Sequence, residues 1–585
     1  MSTGRAATTD SLRAAGAALG ADSLGIDFEG RAIRGRAGET LAAALTAAGE
    51  RALRETRGGE RRGLFCGMGV CQECLVTIDG QANQRACMTK LERPLSVRRQ
   101  AHLAAAPDVP LDAPPLSSAA EVLAPDVLVL GGGAGGLNAA VTAARAGAQV
   151  LLIDERPQPG GQYFKQPIDI AGRRALPDDA QFAGGRALIA AAEAAGVAFL
   201  RGAQLWGAFE PLDLMVFDGE ASRLCRPRRL IVAAGAYERG LPFPGWTLPG
   251  VMTTGAAQTL LRSYAVLAGR RVLVAGNGPL NLQVAVELAR AGAEIAAVAE
   301  LARRPGLWAA AALARMLTSA PALALRGRGY LAELRRRGVP LLHRHVIARV
   351  APAGDRLRVQ VSPWPAAQGL SGASYDVDAV CVGYGFIPAN EILRALGCRH
   401  AYDPTRGHLV TERDENGLTS VAQVYAVGDC TGLGGAPAAE AEGIIAGLAA
   451  ARSLGLRPAT GQEPAIARAR AQLRRHRRFQ AGLWELFRAP RLLTELADPE
   501  TVICRCEELT LAEIEAGFDD GTGSIGALKR ATRAGMGRCQ GRYCGPILAA
   551  VAAARRTLPL DESAHWAPRP PLKPIRIADV VGQSE

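Results

Sequence analysis

The stretch at residues 125–138, PDVLVLGGGAGGLN, constrains the fold of this chain more than any other. Four apolar residues, 127–130, read as a buried strand that runs into a glycine turn and then a helical pattern over 137–145. Gly131, Gly133 and Gly136 form G-x-G-x-x-G. The first glycine permits the tight turn, the second lets backbone N–H groups approach a pyrophosphate, and the third lets the helix pack on its strand. The start of that helix adds its partial positive charge at the same point. A second strand, VLLIDE, ends in Asp154 and Glu155, where a carboxylate accepts hydrogen bonds from ribose hydroxyls. The expectation is an α/β nucleotide-binding unit.

With 585 residues the chain exceeds what one hydrophobic core accommodates, so several domains are expected. The net charge of +12 comes from arginines spread along the chain rather than gathered in one tail. No nucleic-acid-binding module accompanies it, so a basic face for an acidic partner, or solvated surface, is the expected use, and nucleic acid is not an expected partner. No apolar run is long enough to span a bilayer and no secretory segment precedes the fold. The expected location is the reducing cytoplasm, with peripheral attachment at the inner membrane as the alternative. Disulfides are therefore not expected among the twelve cysteines.

Eight of those cysteines form two groups of four. Cys66, Cys71, Cys74 and Cys87 are spaced C-x4-C-x2-C-x12-C, after a stretch that alternates like a strand pair and turns helical past Thr40. Gly67 and Gly69 free the loop to wrap a small inorganic core with its N–H groups inward. Four thiolates so placed suit a 2Fe–2S cluster, with zinc as the alternative. This stretch resembles the beta-grasp ferredoxin domain, whose ligands fall on those four cysteines. Near the other end, Cys504 and Cys506 form C-x-C, Cys539 and Cys544 form C-x4-C, and helix-like sequence separates the pairs. That segment is similar to the 2Fe–2S domain of the bacterioferritin-associated-ferredoxin type, and zinc stays open there too. Cys225, Cys381, Cys398 and Cys430 are scattered, and Cys430 reads as core packing.

Between the cysteine groups, RPQPGGQYF puts Gly161 and Gln162 where backbone approaches a cofactor, and the strand LIVAAG returns to the dinucleotide at Gly235. A second strand–turn–helix spans 271–300. Gly276 and Gly278 fill its first two glycine places, but Asn281 holds the third, so its helix is expected to stand further from its strand. NAD(P), ATP or nothing is expected there. Gly428 and Asp429, in VYAVGDC ahead of a helix, place a carboxylate in reach of a ribityl or ribose hydroxyl.

The expected fold class is multidomain α/β: a two-dinucleotide-domain flavoprotein flanked by two cysteine domains. The organisation reads as a flexible tail at 1–22, a beta-grasp domain at 23–104 and a proline-rich linker at 105–124. A first dinucleotide domain at 125–245 and 385–458 encloses a second at 246–384. A helical connector at 459–496, a small helical cysteine domain at 497–558 and an extended surface tail at 559–585 complete it.

From 125 to about 454 the order of GGGAGG, AAG, GNGPL and VYAVGDC looks like the two-dinucleotide-domain flavoprotein reductases, which bind FAD. Members with a redox disulfide carry C-x-x-C or C-x4-C near the flavin. The scattered cysteines show neither spacing, so disulfide reduction is not expected. With PGVMTTGAAQ, GYGFIPANE and GMGRCQGRYCGP added, the whole chain resembles the alpha subunits of bacterial FAD-dependent amine and amino-acid dehydrogenases. These are the opine oxidase, D-hydroxyproline dehydrogenase, hydrogen cyanide synthase and heterotetrameric sarcosine oxidase group; here the ferredoxin piece, separate in several members, is fused. The resemblance implies FAD, two 2Fe–2S clusters, a beta subunit that oxidises the amine on its own FAD, and an acceptor such as a quinone or cytochrome. No acid–base constellation stands out in the sequence. Two rival functions are a self-sufficient NAD(P)H-dependent ferredoxin-type reductase using the Gly276 turn and a redox-sensing scaffold with structural clusters.

Overall fold

The computed structural model describes residues 12–20, 23–101, 122–168, 179–209, 212–365, 372–456, 462–519, 524–557 and 559–581. Residues 105–121 of the expected linker lie outside them.

Strands Ser23–Phe28 and Arg31–Arg36 form a hairpin through Glu29 and Gly30, both at positive φ (53° and 83°), as a two-residue turn matched to strand twist requires. They open a five-stranded sheet in which Leu95–Arg99 lies parallel to Ser23–Phe28 and antiparallel to Leu75–Ile78. Helix Leu41–Ala47 covers the sheet with all its residues buried, and the Thr40 side chain caps it by accepting from the Ala43 N–H. This is the beta-grasp arrangement.

The free tail expected at 1–22 is corrected where it can be seen. Leu12 and Ala17 are buried, Arg13 donates to both oxygens of Glu39 at 2.9 and 2.8 Å, and the Leu267 N–H donates to the Leu12 carbonyl. Apolar side chains spaced along 12–17 tie the beta-grasp sheet to the second dinucleotide unit.

In the first dinucleotide unit, five parallel strands run in the order Ala198–Arg201, Val150–Asp154, Val127–Leu130, Arg229–Val232, Val424–Ala426. Helices Ala134–Arg145 and Ala436–Ser453 pack with their backbones in contact. A Cβ on Gly443 would stand 2.1 Å from the Gly135 carbonyl oxygen, and one on Gly447 2.4 Å from that of Ala139. Small residues in AEAEGIIAG are thus a packing requirement. The second unit is also a five-stranded parallel sheet, ordered Val251–Thr253, Ala379–Gly383, Arg271–Gly276, Glu294–Glu300, Leu341–His343. A ribbon of Ala236–Glu238 and Phe386–Pro388 joins the two units.

Helix Gln462–Leu486 leads to the last cysteine region, built from the hairpin Val502–Cys504 and Leu509–Thr510 and helices Leu511–Asp519, Ile525–Thr532 and Gly545–Arg556. No described helix is long and apolar enough to cross a membrane.

The surface tail expected at 559–585 is corrected as well. Leu572 is buried in the core of the first dinucleotide unit and its N–H donates to the Trp206 carbonyl (2.6 Å). Lys573 forms an ion pair with Glu155, and Trp566 packs on the last cysteine region. Two apolar anchors among the prolines make this segment a strap.

Candidate functional site

The first glycine turn has the geometry its spacing calls for. Gly131 sits at φ +104°, and a Cβ there would lie 2.4 Å from the Ala233 carbonyl oxygen. A Cβ on Gly136 would lie 1.8 Å from the Gly131 oxygen, so helix and turn touch. Gly133 starts helix Ala134–Arg145 with no side-chain cap, which leaves the first N–H groups for an anion. Gly161 packs on this turn, where its Cβ would come 2.8 Å from Gly133 Cα; the Gln162 side chain is exposed. Gly235 follows the neighbouring strand at φ +74° with open space around it.

The two acids part company. Asp154 turns inward and accepts from the N–H groups of Gly132 (2.6 Å) and Arg156 (2.7 Å). Glu155 faces Lys573 of the strap, a partner that its sequence surroundings do not announce. From the far side of the sheet, Asp429 accepts from the N–H groups of Gly434 and Gly435 (2.9 and 2.8 Å), just before helix Ala436–Ser453, whose start also lacks a side-chain cap. Burial pushes the Asp154 and Asp429 carboxyls up. Gly428 and Gly135 both abut Ala439, so the two helix starts and the glycine turn converge on one end of the sheet.

The second glycine turn repeats the backbone contact of the first and adds a side-chain bridge, while Gly278 has open space around it. A Cβ on Gly276 would stand 2.0 Å from the Gly383 oxygen and 2.6 Å from Asn281 Nδ2. Asn281, expected only to hold its helix away, bridges the gap: Nδ2 donates to the Gly383 carbonyl and Oδ1 accepts from Thr254, both at 2.9 Å. Glu300 accepts from Asn277 Nδ2 (2.8 Å) and from the N–H groups of Gly278 (3.1 Å) and Ala302 (2.9 Å). Burial raises its carboxyl to about 7. Asn277 also donates to the Phe487 carbonyl beyond the long helix (3.1 Å).

The cysteines are arranged pairwise. In the first group Cys66 interacts with Cys71, and Cys74 with Cys87. Cys66 Sγ accepts from the N–H groups of Met68 (3.5 Å) and Cys71 (3.4 Å). In the second group Cys504 and Cys544 have their sulfurs 3.8 Å apart, and Cys506 interacts with Cys539. Burial alone would raise the Cys66 thiol, but hydrogen bonding brings it down to about 6, while burial and its neighbours push Cys71 up. Likewise Cys506 draws Cys539 down to about 7 and is itself pushed up. Ionising all four buried thiols of either group takes a cation beside them. No three Cys, His, Asp or Glu side chains among the described residues gather as they would around a single ion. Two pairs of thiols fit a dinuclear cluster with two thiolates on each iron.

Three groups escaped sequence reasoning because their members lie far apart in the chain. Lys165 is buried, donating to the Gln162 carbonyl (2.7 Å) and Gln258 Oε1 (2.9 Å); burial lowers its ammonium to about 7. Buried Glu238 accepts from the Gly255 N–H (2.8 Å), and burial raises its carboxyl to about 7. Lys165 and Gly161 also line a cavity of about 40 Å³ whose other wall includes Gly67 and Cys87 of the cysteine loop. Finally, buried Glu73 accepts from Arg54 (3.1 Å) and Arg505 (3.3 Å), joining the two cysteine regions.

Known proteins match this architecture. The family model of pyridine nucleotide-disulphide oxidoreductases matches residues 125–443, that of a 2Fe-2S iron-sulfur cluster binding domain matches 21–102, and that of the sarcosine oxidase A3 domain matches 499–583. The opine oxidase A subunit of Rhizobium meliloti (strain 1021) is 34% identical over 465 residues, covering 78% of this chain and 98% of that protein. The hydrogen cyanide synthase protein HcnB of Pseudomonas aeruginosa is 36% identical over 433 residues, covering 71% and 90%. The sarcosine oxidase alpha chain of Corynebacterium sp. (strain P-1) is 27% identical over 298 residues, 47% of this chain and 30% of that one. The crystal structure of L-proline dehydrogenase from P. horikoshii superposes with a TM-score of 0.70 at 20% identity, covering 97% of this chain and 99% of that one, and so shares the fold. With an opine oxidase A subunit matched along nearly its whole length, this chain belongs to the flavoprotein oxidoreductase family of the opine oxidase A subunits and HcnB, and it carries a 2Fe–2S domain ahead of the flavoprotein unit.

Proposed function

We propose that this chain is the electron-transferring subunit of a heteromeric amine or amino-acid dehydrogenase, taking electrons from a partner flavoprotein and passing them to an acceptor such as a quinone or cytochrome. One observation carries the reading: Gly161 and Lys165, beside the first glycine turn, share a cavity with Gly67 and Cys87 of the cysteine loop. A flavin held at that turn and a cluster held in that loop would be near neighbours.

In this reading the first N–H groups of helices Ala134–Arg145 and Ala436–Ser453 would meet the pyrophosphate, Glu155 the ribose and Asp429 the ribityl chain. Asp154 holds the turn in shape, and Lys165 presents its amine at the cavity wall. FAD supplies two-electron acceptance with one-electron release, and thiolate-bound clusters carry one electron each. Cys504, Cys506, Cys539 and Cys544 hold a second 2Fe–2S cluster. Relatives named as subunits of opine oxidase, sarcosine oxidase and hydrogen cyanide synthase support a C–N donor and a partner that binds it. Asn281 in the third glycine place of the second turn, bonded to Gly383 and Thr254, supports an electron source other than NAD(P)H.

Anaerobic mixing of the loaded protein with amines should bleach its flavin only when the partner flavoprotein is present. Rapid oxidation of an amine by this chain alone, or rapid bleaching by NADH, would overturn the reading.

A further inference from the structure

The two cysteine regions touch through residues next to the cysteines themselves. Phe65 precedes Cys66, Tyr543 precedes Cys544, and their rings meet edge to face with centroids 5.5 Å apart. Trp246 packs on Phe65 at 5.8 Å. Arg505, between Cys504 and Cys506, lies 3.9 Å from the Phe65 ring centroid and pairs at 3.3 Å with Glu73, which stands between Cys71 and Cys74. The Arg505 and Glu73 side chains are 3% and 0% exposed. Charges so deeply buried need fixed partners, so this contact is rigid.

Tyr543 carries a second observation. It is buried, yet its hydroxyl has no hydrogen-bond partner among the described residues. Cys66 and Cys71 of one group and Cys539 of the other lie in the same packed core cluster as Tyr543. Leaving a buried hydroxyl unpaired costs about 1–3 kcal/mol. Its placement therefore calls for an acceptor, and anionic sulfur at the Cys66–Cys71 end is the chemistry at hand.

We propose that the two cysteine sites form one electron-transfer unit inside this chain, joined across Phe65 and Tyr543, with the Tyr543 hydroxyl donating to sulfur at the Cys66–Cys71 site. The inference rests on the reading that both sites hold 2Fe–2S clusters. Across the contact one electron leaves one site and arrives at the other: the first is oxidised by one electron, the second reduced by one, and no bond breaks and no proton moves. Tyr543 is a positioning residue whose hydroxyl favours the more negative, reduced state of its neighbour.

The test uses the full chain with its cofactors, an iron and sulfide count, and a stepwise reduction followed by electron paramagnetic resonance. In the fully reduced protein the two cluster signals should broaden or split each other. Tyr543→Phe keeps the ring and the iron but should shift the Cys66–Cys71 site toward its oxidised form by about tenfold against a reference dye, the effect of one hydrogen bond to a charged group. Tyr237→Phe, whose hydroxyl already pairs with Glu391 at 3.1 Å, should shift neither site. About two irons per chain would overturn the inference together with the second-cluster reading. About four irons with two non-interacting signals, or no shift in Tyr543→Phe, would overturn the inference alone.

Discussion

Lys573 pairs with Glu155 across 418 residues of sequence, so the strap near the end of the chain closes on the acid just after strand Val150–Asp154 of the first dinucleotide unit. Both side chains keep partial contact with water, 32% and 26% exposed, so the pair itself contributes little to stability. Its role is to hold the strap. Lys573→Met should leave the melting temperature nearly unchanged and increase amide hydrogen exchange over 571–579. Unchanged exchange there would mean that buried Leu572 and the hydrogen bonds from Gln540, Arg542, Gln204 and Ser222 to the segment's carbonyls hold it without the ion pair.

Gly136→Ala places a methyl group where the Gly131 oxygen already stands, 1.8 Å away. No side chain can yield, so helix and turn must separate, at a cost of about 1–3 kcal/mol. The purified variant should carry its iron but little flavin, as read from absorbance. Gly443→Ala, 2.1 Å from the Gly135 oxygen, should lower stability similarly through the helix pair.

Lys165 and Glu238 set opposite pH trends. The Lys165 ammonium is lowered from 10.5 to about 7 in the fold, so between those values the unfolded chain binds more protons and stability rises with pH. The Glu238 carboxyl is raised from 4.5 to about 7, so over that window the fold binds more protons and stability falls as pH rises. Each slope reaches at most about 1.4 kcal/mol per pH unit. Denaturant midpoints measured across pH should show Lys165→Met losing the rise above 7 and Glu238→Gln losing the fall below it. Identical pH profiles for wild type and both variants would refute the assignment.

Arg505→Ala strands the Glu73 carboxylate in the interior with Arg54 as its remaining close partner. Removing one member of a buried pair costs about 3–5 kcal/mol. Chemical denaturation should report that loss, and Arg505→Lys, which keeps the charge but loses the planar stacking on Phe65, should recover only part of it.

Asn281→Gly restores the third glycine of the second turn and removes the hydrogen bonds to Gly383 and Thr254. Stability should fall by about 2–3 kcal/mol, counting about 1 kcal/mol per bond and the void left. Stopped-flow mixing with NADH should still leave the flavin oxidised if the partner flavoprotein is the electron source.

Much of the site was legible because its signals are local. Gly131, Gly133 and Gly136 fall within six residues of one another, and the loop from Cys66 to Cys74 places three thiols by spacing alone. The alternation before Thr40 became the hairpin and the buried helix it suggested. Asp154 and Glu155 could not be told apart, since which acid turns inward depends on the Gly132 amide and on Lys573. The tails were misjudged for a related reason. Proline and arginine content describes how a segment behaves alone, while Leu12 and Leu572 are buried by distant partners.

Short-range order in the chain was enough to establish two cysteine domains around a two-unit flavoprotein, because turn chemistry, strand alternation and ligand spacing are written within windows of a few residues. The joining of those parts was decided by folding. Phe65 meets Tyr543, Glu73 meets Arg505 and Lys165 shares a cavity with Cys87 through contacts whose partners lie far apart in the chain. Such contacts depend on how sheets and helices dock, and no local periodicity encodes that docking. The path that electrons would follow is therefore a property of the assembled interior.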